Sequence, residues 1–170
     1  MIILEFKRDS LAMEKAKEIN LKNVDSTSLS RELFVMPMHL RIDDVELLEI
    51  STQFGRAVTD WPFLPIVDVA TYGLEMVYDA WRNGFSEIWI SETGLRLNLE
   101  REDDKITIRS RNRGYVCTVP YEELRRAFED FAREVRGTLI KEAPELTKHS
   151  YWGGWLRGEV KTPWRDWEDE

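Results

Sequence analysis

The residues of this chain that can carry out chemistry are few and lie far apart. Its only histidines are His39 and His149, and its only cysteine is Cys117. Neither histidine has a ligand partner at metal-site spacing, and a single cysteine can build neither an internal disulfide nor a multi-thiolate zinc site. Cys117 paired with a histidine would be a dyad, but a free cysteine in a strand is more often a small core side chain. We therefore predict no metal, no cofactor and no catalytic residues.

Motifs for nucleotide binding and for acyl transfer are absent as well. The chain contains no P-loop, no Gly-x-Gly-x-x-Gly fingerprint and no Gly-x-Ser-x-Gly nucleophile elbow. Paired carboxylates can divide acid and base roles in a hydrolase, and adjacent pairs occur at Asp43-Asp44 and Asp103-Asp104. Both pairs lie where hairpins must turn, and Asp is favoured there by local backbone hydrogen bonds. We interpret them as turn residues.

Three arginines offer the clearest candidate for anion binding. Arg109, Arg111 and Arg113 alternate along the chain, so they share one face if the strand continues through them. Such a stripe can bind a phosphate or an acidic segment of a partner. The interpretation we favour is a solvated outer face whose charge is balanced by Glu100 and Glu102.

Aromatic residues concentrate in the C-terminal sequence. Four of the seven tryptophans lie there, at Trp152, Trp155, Trp164 and Trp167. A disordered tail would be poor in aromatic residues, so this segment is expected to dock. The simpler interpretation is that the rings cover one end of the core, and the alternative is a partner surface, because Trp is enriched at binding hot spots. Residues 157–170 are predicted to form an aromatic, acidic tail.

The composition indicates one folded, acidic domain. The chain has 170 residues, with 24 Lys and Arg against 32 Asp and Glu, so its net charge is −8. This charge argues against a general nucleic-acid binder or an anionic-membrane binder, whose affinity comes from neutralising phosphate. The first residues do not fit the pattern of a signal peptide, and the sequence has no apolar stretch of about 18 residues, the length that a membrane span needs; we therefore expect neither. A cytoplasmic location is the natural expectation.

Two helices and an antiparallel sheet must position these residues. Apolar residues at 3- and 4-residue spacings predict one helix over residues 65–81 and a second from Pro120 to about residue 141. Between the helices, alternating and apolar runs with turn signals over residues 87–119 predict a four-strand meander. Residues 33–41 and 45–50 predict a hairpin around the first aspartate pair.

The remaining organisation follows from these elements. On the first helix, polar residues form a stripe opposite the apolar one, and they are Asp68, Thr71, Glu75, Asp79 and Arg82. Residues 1–30 are poorly defined, with an edge strand at 2–6 and a short helix at 11–19 as candidates. We predict a single α+β domain over residues 1–170, in which a mainly antiparallel sheet packs against the two long helices.

Three stretches carry a resemblance to a known group of proteins. They are ELFVMPMHL at residues 32–40, EIWISETG at 87–94 and HSYWGGWL at 149–156. Together they resemble small bacterial proteins of unassigned function, some of which belong with the immunity proteins of polymorphic toxins. The resemblance implies a cytosolic protein that binds and blocks a toxin domain, and it implies no catalytic residues.

Three hypotheses about function follow. The first is a non-catalytic binding protein, plausibly an immunity protein that meets a basic toxin domain. Its candidate contacts are Asp43, Asp44, Glu46 and Glu49, with Trp152 or Trp155 as anchors. The second is a small-molecule-binding protein with a pocket between sheet and helices, lined by Trp81, Trp89 and Phe128. The third is an enzyme whose site is assembled from distant residues and uses His39 or His149. The sequence leaves the oligomeric state open.

Overall fold

A computed structural model describes residues 1–9, 13–14, 25, 29, 33–48, 63–90, 94–110 and 114–160. The helix expected at 11–19 and the tail beyond residue 160 lie largely or wholly outside these ranges, as do Glu49, Arg111 and Arg113. The described chain folds into two antiparallel sheets and several helices, which confirms the predicted α+β class. The hairpin and the meander belong to separate sheets.

The first sheet is built around one long strand. It contains β1 (Ile2–Phe6), β2 (Val35–Ile42), β3 (Val45–Glu46) and β4 (Phe63–Pro65), and β2 pairs antiparallel with the other three. Every second residue of β2 is buried from Met36 to Ile42, which is the period of a strand with one face on the core. The predicted hairpin is confirmed, although β3 is only two residues long.

The second sheet is the meander that the alternating sequence predicted. Its strands pair in chain order as β5 (Phe85–Ile90), β6 (Leu95–Glu102), β7 (Lys105–Ser110) and β8 (Val116–Pro120). The turn between β6 and β7 places Asp103 at φ 57°, so this aspartate serves the turn as expected. One face of the sheet is apolar and buried, with Leu95, Leu97 and Leu99 on it.

The first long helix has an irregular turn inside it. It begins as α1 (Ile66–Asp68), continues through a π-helical turn (Val69–Gly73) and ends as α2 (Leu74–Asn83). Gly84 closes it in the left-handed conformation at φ 84°, as the Asn-Gly pair predicted. At Gly73 the ring of Phe128 lies so close that an added Cβ would be 2.9 Å from its Cε1 atom.

The polar stripe of this helix is partly enclosed by the rest of the protein. Asp68, Thr71 and Glu75 are buried. The Thr71 hydroxyl donates a hydrogen bond to the Val67 carbonyl at 2.7 Å, which satisfies it inside the protein. Burial raises the pKa of Tyr151, and the charge of Glu75 raises it further. The C-terminal segment therefore lies near this side of the helix. The helix is therefore enclosed on more than its apolar stripe.

The second long helix is α3 (Tyr121–Glu142), which is followed by a short 3₁₀ helix (Pro144–Lys148) and by α4 (Gly153–Arg157). The predicted core stripe of α3 is confirmed: Leu124, Phe128, Phe131, Val135 and Leu139 are all buried. Buried hydrophobic side chains from both sheets and from these helices form one cluster. Within the ranges described, no helix combines the length and apolarity needed to cross a membrane.

Two glycines on the two long helices give a matched test of this packing. We expect Gly73→Ala to lower the free energy of unfolding by roughly 1–3 kcal/mol, because the new methyl group meets a buried ring. Gly137→Ala should raise it by about 0.5–1 kcal/mol, because Gly137 is exposed on α3 and alanine is the better helix former. Urea denaturation measures both changes. Equal stability of the two variants would contradict the close contact between Gly73 and Phe128.

Candidate functional site

The second sheet turns one face away from the core, and we call it the outer sheet face. Because side chains alternate across a strand, the face is defined by the residues between the buried positions. These residues are Phe85, Glu87, Trp89, Arg96, Asn98, Glu100, Arg109, Val116 and Thr118, and the register adds Thr107, which is buried. The antiparallel register sets them in rows across the strands, one of which runs from Glu87 to Val116.

Three large apolar side chains on this face are exposed to solvent. Phe85 is 51% exposed, Trp89 is 49% exposed and Val116 is 51% exposed. Singly exposed apolar residues are normal on a surface, but a group of them on one face indicates a contact site. The buried side of the same sheet lies against the core helices, because Ile88 and Leu97 line a small void together with Phe128.

Arginines stand beside these apolar groups. Arg96 lies opposite Trp89 in the register, and its guanidinium carbon is 4.7 Å from the centre of the indole ring. That distance is a cation–π contact, which holds the ring and the charge together. A terminal nitrogen of Arg96 is also 3.9 Å from a carboxylate oxygen of Glu87.

Arg109 occupies the row that ends at Val116. Its Nε atom is 3.4 Å from a carboxylate oxygen of Glu100, so Glu100 balances it on an exposed surface as expected. Arg111 and Arg113, the other two members of the predicted stripe, lie outside the described residues. Arg109 therefore belongs to a mixed apolar and charged face, with its anion-binding role left as a prediction.

The predicted acidic hairpin tip is exposed. Asp43 and Asp44 are both exposed at the turn between β2 and β3, and an oxygen of Asp43 is 2.6 Å from the Met1 ammonium nitrogen. Burial raises the pKa of the Cys117 thiol, and the charge of Asp43 raises it further. The tip therefore lies close to β8. Glu123 of α3 acts on the Met1 ammonium as well, so a third acid is near.

Glu46 has a structural partner instead of an open surface. One of its carboxylate oxygens is 2.5 Å from Nδ1 of His39. The other accepts hydrogen bonds from the backbone N–H groups of Leu40 at 3.2 Å and Leu48 at 3.1 Å. Burial raises the pKa of Glu46, although those bonds and His39 oppose the shift. The Glu46 carboxylate therefore ties the hairpin together, and its contact with a partner stays a prediction.

Trp152 and Trp155 are not surface anchors, which corrects that expectation. Each is 1% exposed, and their rings meet edge to face with centroids 6.0 Å apart. The turn into α4 is tight, since a Cβ on Gly153 would be 2.6 Å from the carbonyl oxygen of Thr147. Nδ1 of His149 accepts hydrogen bonds from two backbone N–H groups of this turn, at 3.2 Å each. The rings cover one end of the core, as the simpler interpretation held.

The three residues expected to line a ligand pocket lie apart. Trp81 stacks on Tyr121 with ring centroids 4.1 Å apart, Trp89 is on the outer sheet face, and Phe128 is buried. Beside Phe128, between the two sheets, lies a void of about 10 Å³. A void of that size holds about one water molecule. The pocket expected from these side chains is therefore not formed among the described residues.

The groups considered for catalysis have structural contacts. His39 pairs with Glu46, and His149 is buried with its Nδ1 atom facing backbone donors. The raised pKa of Cys117 disfavours the reactive thiolate. Across the residues that the structure describes, no three His, Cys, Asp or Glu side chains are grouped as metal ligands would be.

Glu46 makes a prediction about pH. A carboxyl whose pKa is raised on folding holds its proton more tightly in the folded state, so its contribution to stability is fully present below the ordinary value of 4.5. That contribution is lost as the pH rises through the raised pKa. Relative to wild type, Glu46→Gln should therefore gain stability as the pH rises above 4.5 and through the raised pKa of Glu46. Urea denaturation across this range tests it, with Glu102→Gln at an exposed position as the control.

A wild-type protein that gains stability over Glu46→Gln as the pH rises would contradict this burial effect. The same trend in Glu102→Gln would show that the change is not specific to the hairpin.

Comparisons with protein-family models, with curated proteins and with solved structures found no match for this chain. Its function therefore has to be inferred from its own residues and their geometry.

Proposed function

We propose that this chain is a non-catalytic binding protein that acts through contact between its outer sheet face and a protein partner. The partner class that the sequence favours is a basic toxin domain, which would make the chain a cytoplasmic immunity protein. The observation that carries the proposal is the half-exposed pair Phe85 and Trp89, with Arg96 stacked on the indole ring. Trp and Arg are the residue types most enriched at binding hot spots.

The outer sheet face is available for binding because folding does not use it. The apolar side chains of the same strands, such as Ile88 and Leu97, face the core. Burying apolar surface is favourable by about 25 cal/mol per Å², so leaving Phe85 and Trp89 half exposed forgoes stability that a partner can recover. The arginine over the indole keeps that ring in a fixed place before binding.

The acidic hairpin tip supplies the electrostatic part of the proposal. Asp43 and Asp44 are exposed at the turn between β2 and β3, and the charge of Asp43 acts on Cys117 of β8. With Glu123 nearby and a net charge of −8, this end attracts a basic partner. Complementary charge of this kind mainly speeds association and helps to orient the encounter.

The resemblance to immunity proteins fits this arrangement. An immunity protein needs a stable scaffold, a contact face and charge opposite to that of its toxin, and it needs no catalytic group. The sequence stretches that carry the resemblance include EIWISETG, which contains Trp89.

The contact is tested by sequencing the genes beside the one for this chain and by expressing any basic toxin domain that they encode as the binding partner. We expect Trp89→Ala to weaken binding by at least about 30-fold, as the loss of a hot-spot residue costs about 2 kcal/mol or more. Phe63→Ala is the matched control, because Phe63 is 55% exposed but lies on the first sheet. Isothermal titration calorimetry measures both affinities. Equal losses in the two variants, or no binding by the wild type, would remove the proposal.

Asp44→Asn combined with Glu123→Gln tests the electrostatic part separately. We expect slower association, roughly 3- to 10-fold at low salt, with a small change in the dissociation rate, because these acids steer the encounter. Surface plasmon resonance at two salt concentrations measures the rates. An association rate that neither falls in the double variant nor depends on salt would exclude the acidic tip from the encounter.

A further inference from the structure

A cleft lies on the far side of α3 from the elements of the proposed contact face. It has a volume of about 290 Å³ and is walled by α2, by α3 and by the chain around α4. This volume is at the lower end of the range for small-molecule sites. Its lining combines apolar and charged side chains. Among them are Tyr78, Glu129, Arg133, Arg136, Trp155 and Glu159.

Arg136 stands out among the charges in this cleft. Its guanidinium carbon is 5.9 Å from the centre of the Trp155 ring, and the side chain is partly buried. Among the residues that the structure describes, no carboxylate lies within ion-pair distance of it. Burial lowers the pKa of Arg136, and the neighbouring charge of Arg133 lowers it further, as happens to a cation without an acid beside it.

The other charged groups of the cleft have partners. Glu129 accepts hydrogen bonds from the Tyr78 hydroxyl at 2.6 Å and from Arg125 at 2.7 Å. Glu159 pairs with Arg157 at the cleft wall. Arg133 pairs with Asp130 at 2.6 Å. The charge left to be balanced in the cleft is therefore that of Arg136.

We propose that this cleft binds a small organic carboxylate, whose carboxylate group pairs with the Arg136 guanidinium. A guanidinium fork matches a carboxylate in two parallel hydrogen bonds. A monoanion suits the site better than a phosphate dianion, because the site offers one unbalanced positive charge and Glu129 and Glu159 would repel a second negative one. The apolar part of the ligand would lie against Leu74 and Val160, which line the same cleft.

Gly158 shapes the wall beside the guanidinium. It ends α4 in the left-handed conformation at φ 75°, and an added Cβ would be 3.4 Å from a terminal nitrogen of Arg136. The chain therefore passes close to the guanidinium at a residue with no side chain. This proposal does not depend on the outer sheet face.

The test uses the full-length chain and three probes: sodium benzoate, sodium acetate and inorganic phosphate. Two-dimensional NMR of arginine Nε–H groups and tryptophan indole N–H groups follows the titrations at constant ionic strength. We expect saturable benzoate shifts at Arg136 and Trp155 with a Kd on the order of 1 mM, as ligand size allows. Acetate and phosphate should bind at least fivefold more weakly.

Two variants distinguish benzoate binding at Arg136 from a general effect of removing positive charge. Arg136→Met keeps the apolar stem and should weaken benzoate binding at least tenfold, whereas Arg126→Met removes an exposed arginine from the same helix and should leave it unchanged. Absence of saturable binding by the wild type, or equal binding by Arg136→Met, would overturn the proposal. So would tighter binding of phosphate than of benzoate.

The chain's own acidic C-terminal sequence is the remaining competitor, and it is tested by Glu168→Gln, Asp169→Asn and Glu170→Gln combined. Unchanged benzoate affinity in this variant supports a small-molecule site. Benzoate binding that becomes at least tenfold tighter would assign Arg136 to the chain's own carboxylates and overturn the proposal.

Discussion

Burial of the apolar stripe of α3 is the interaction on which the rest of the structure depends. Phe128 borders the same small void as Leu40 of the first sheet and Ile88 of the second, and Phe131 meets Phe6 edge to face at 5.8 Å. One helix therefore contributes to the packing of both sheets. A loss of this packing would separate the hairpin from the meander, and with them the acidic tip from β8. The outer sheet face thus relies on a helix that contributes none of its residues.

The acidic hairpin tip and the outer sheet face differ in their charge, and they would serve different steps of binding. Acids at the hairpin tip lie in the open and have few competing cations besides the Met1 ammonium. On the outer sheet face, Arg96 and Arg109 each have a glutamate close by, so that face is nearly neutral and its aromatic groups dominate. A basic partner would be attracted by the acidic hairpin tip and would then bind the outer sheet face. Long-range attraction and short-range contact thus belong to different parts of the molecule.

The sequence predicted elements whose pattern is local and missed features that depend on tertiary packing. The stripe of α3 and the alternation of Leu95, Leu97 and Leu99 are periodic, and the structure has both. No local sequence pattern indicates that the strands form two separate sheets. The expectation that Trp89 lines a pocket does not hold, because Ile88 and Ile90 on either side of it face the core and strand alternation turns Trp89 to the outer sheet face. Asp68 and Glu75 look solvent-facing on a helical wheel, but the C-terminal segment packs near that side.

The exposure of Trp89 gives the protein an intrinsic optical probe. An indole in contact with water emits at longer wavelength and is reached by soluble quenchers, whereas Trp152 and Trp155 are shielded from both. The chain has seven tryptophans, so its emission mixes the signal of Trp89 with those of the buried Trp152 and Trp155 and of the other four. Occupation of the face would change the first signal and leave the emission of the two buried rings in place. Trp89 would therefore both contact a partner and report, through its emission, that the partner has bound.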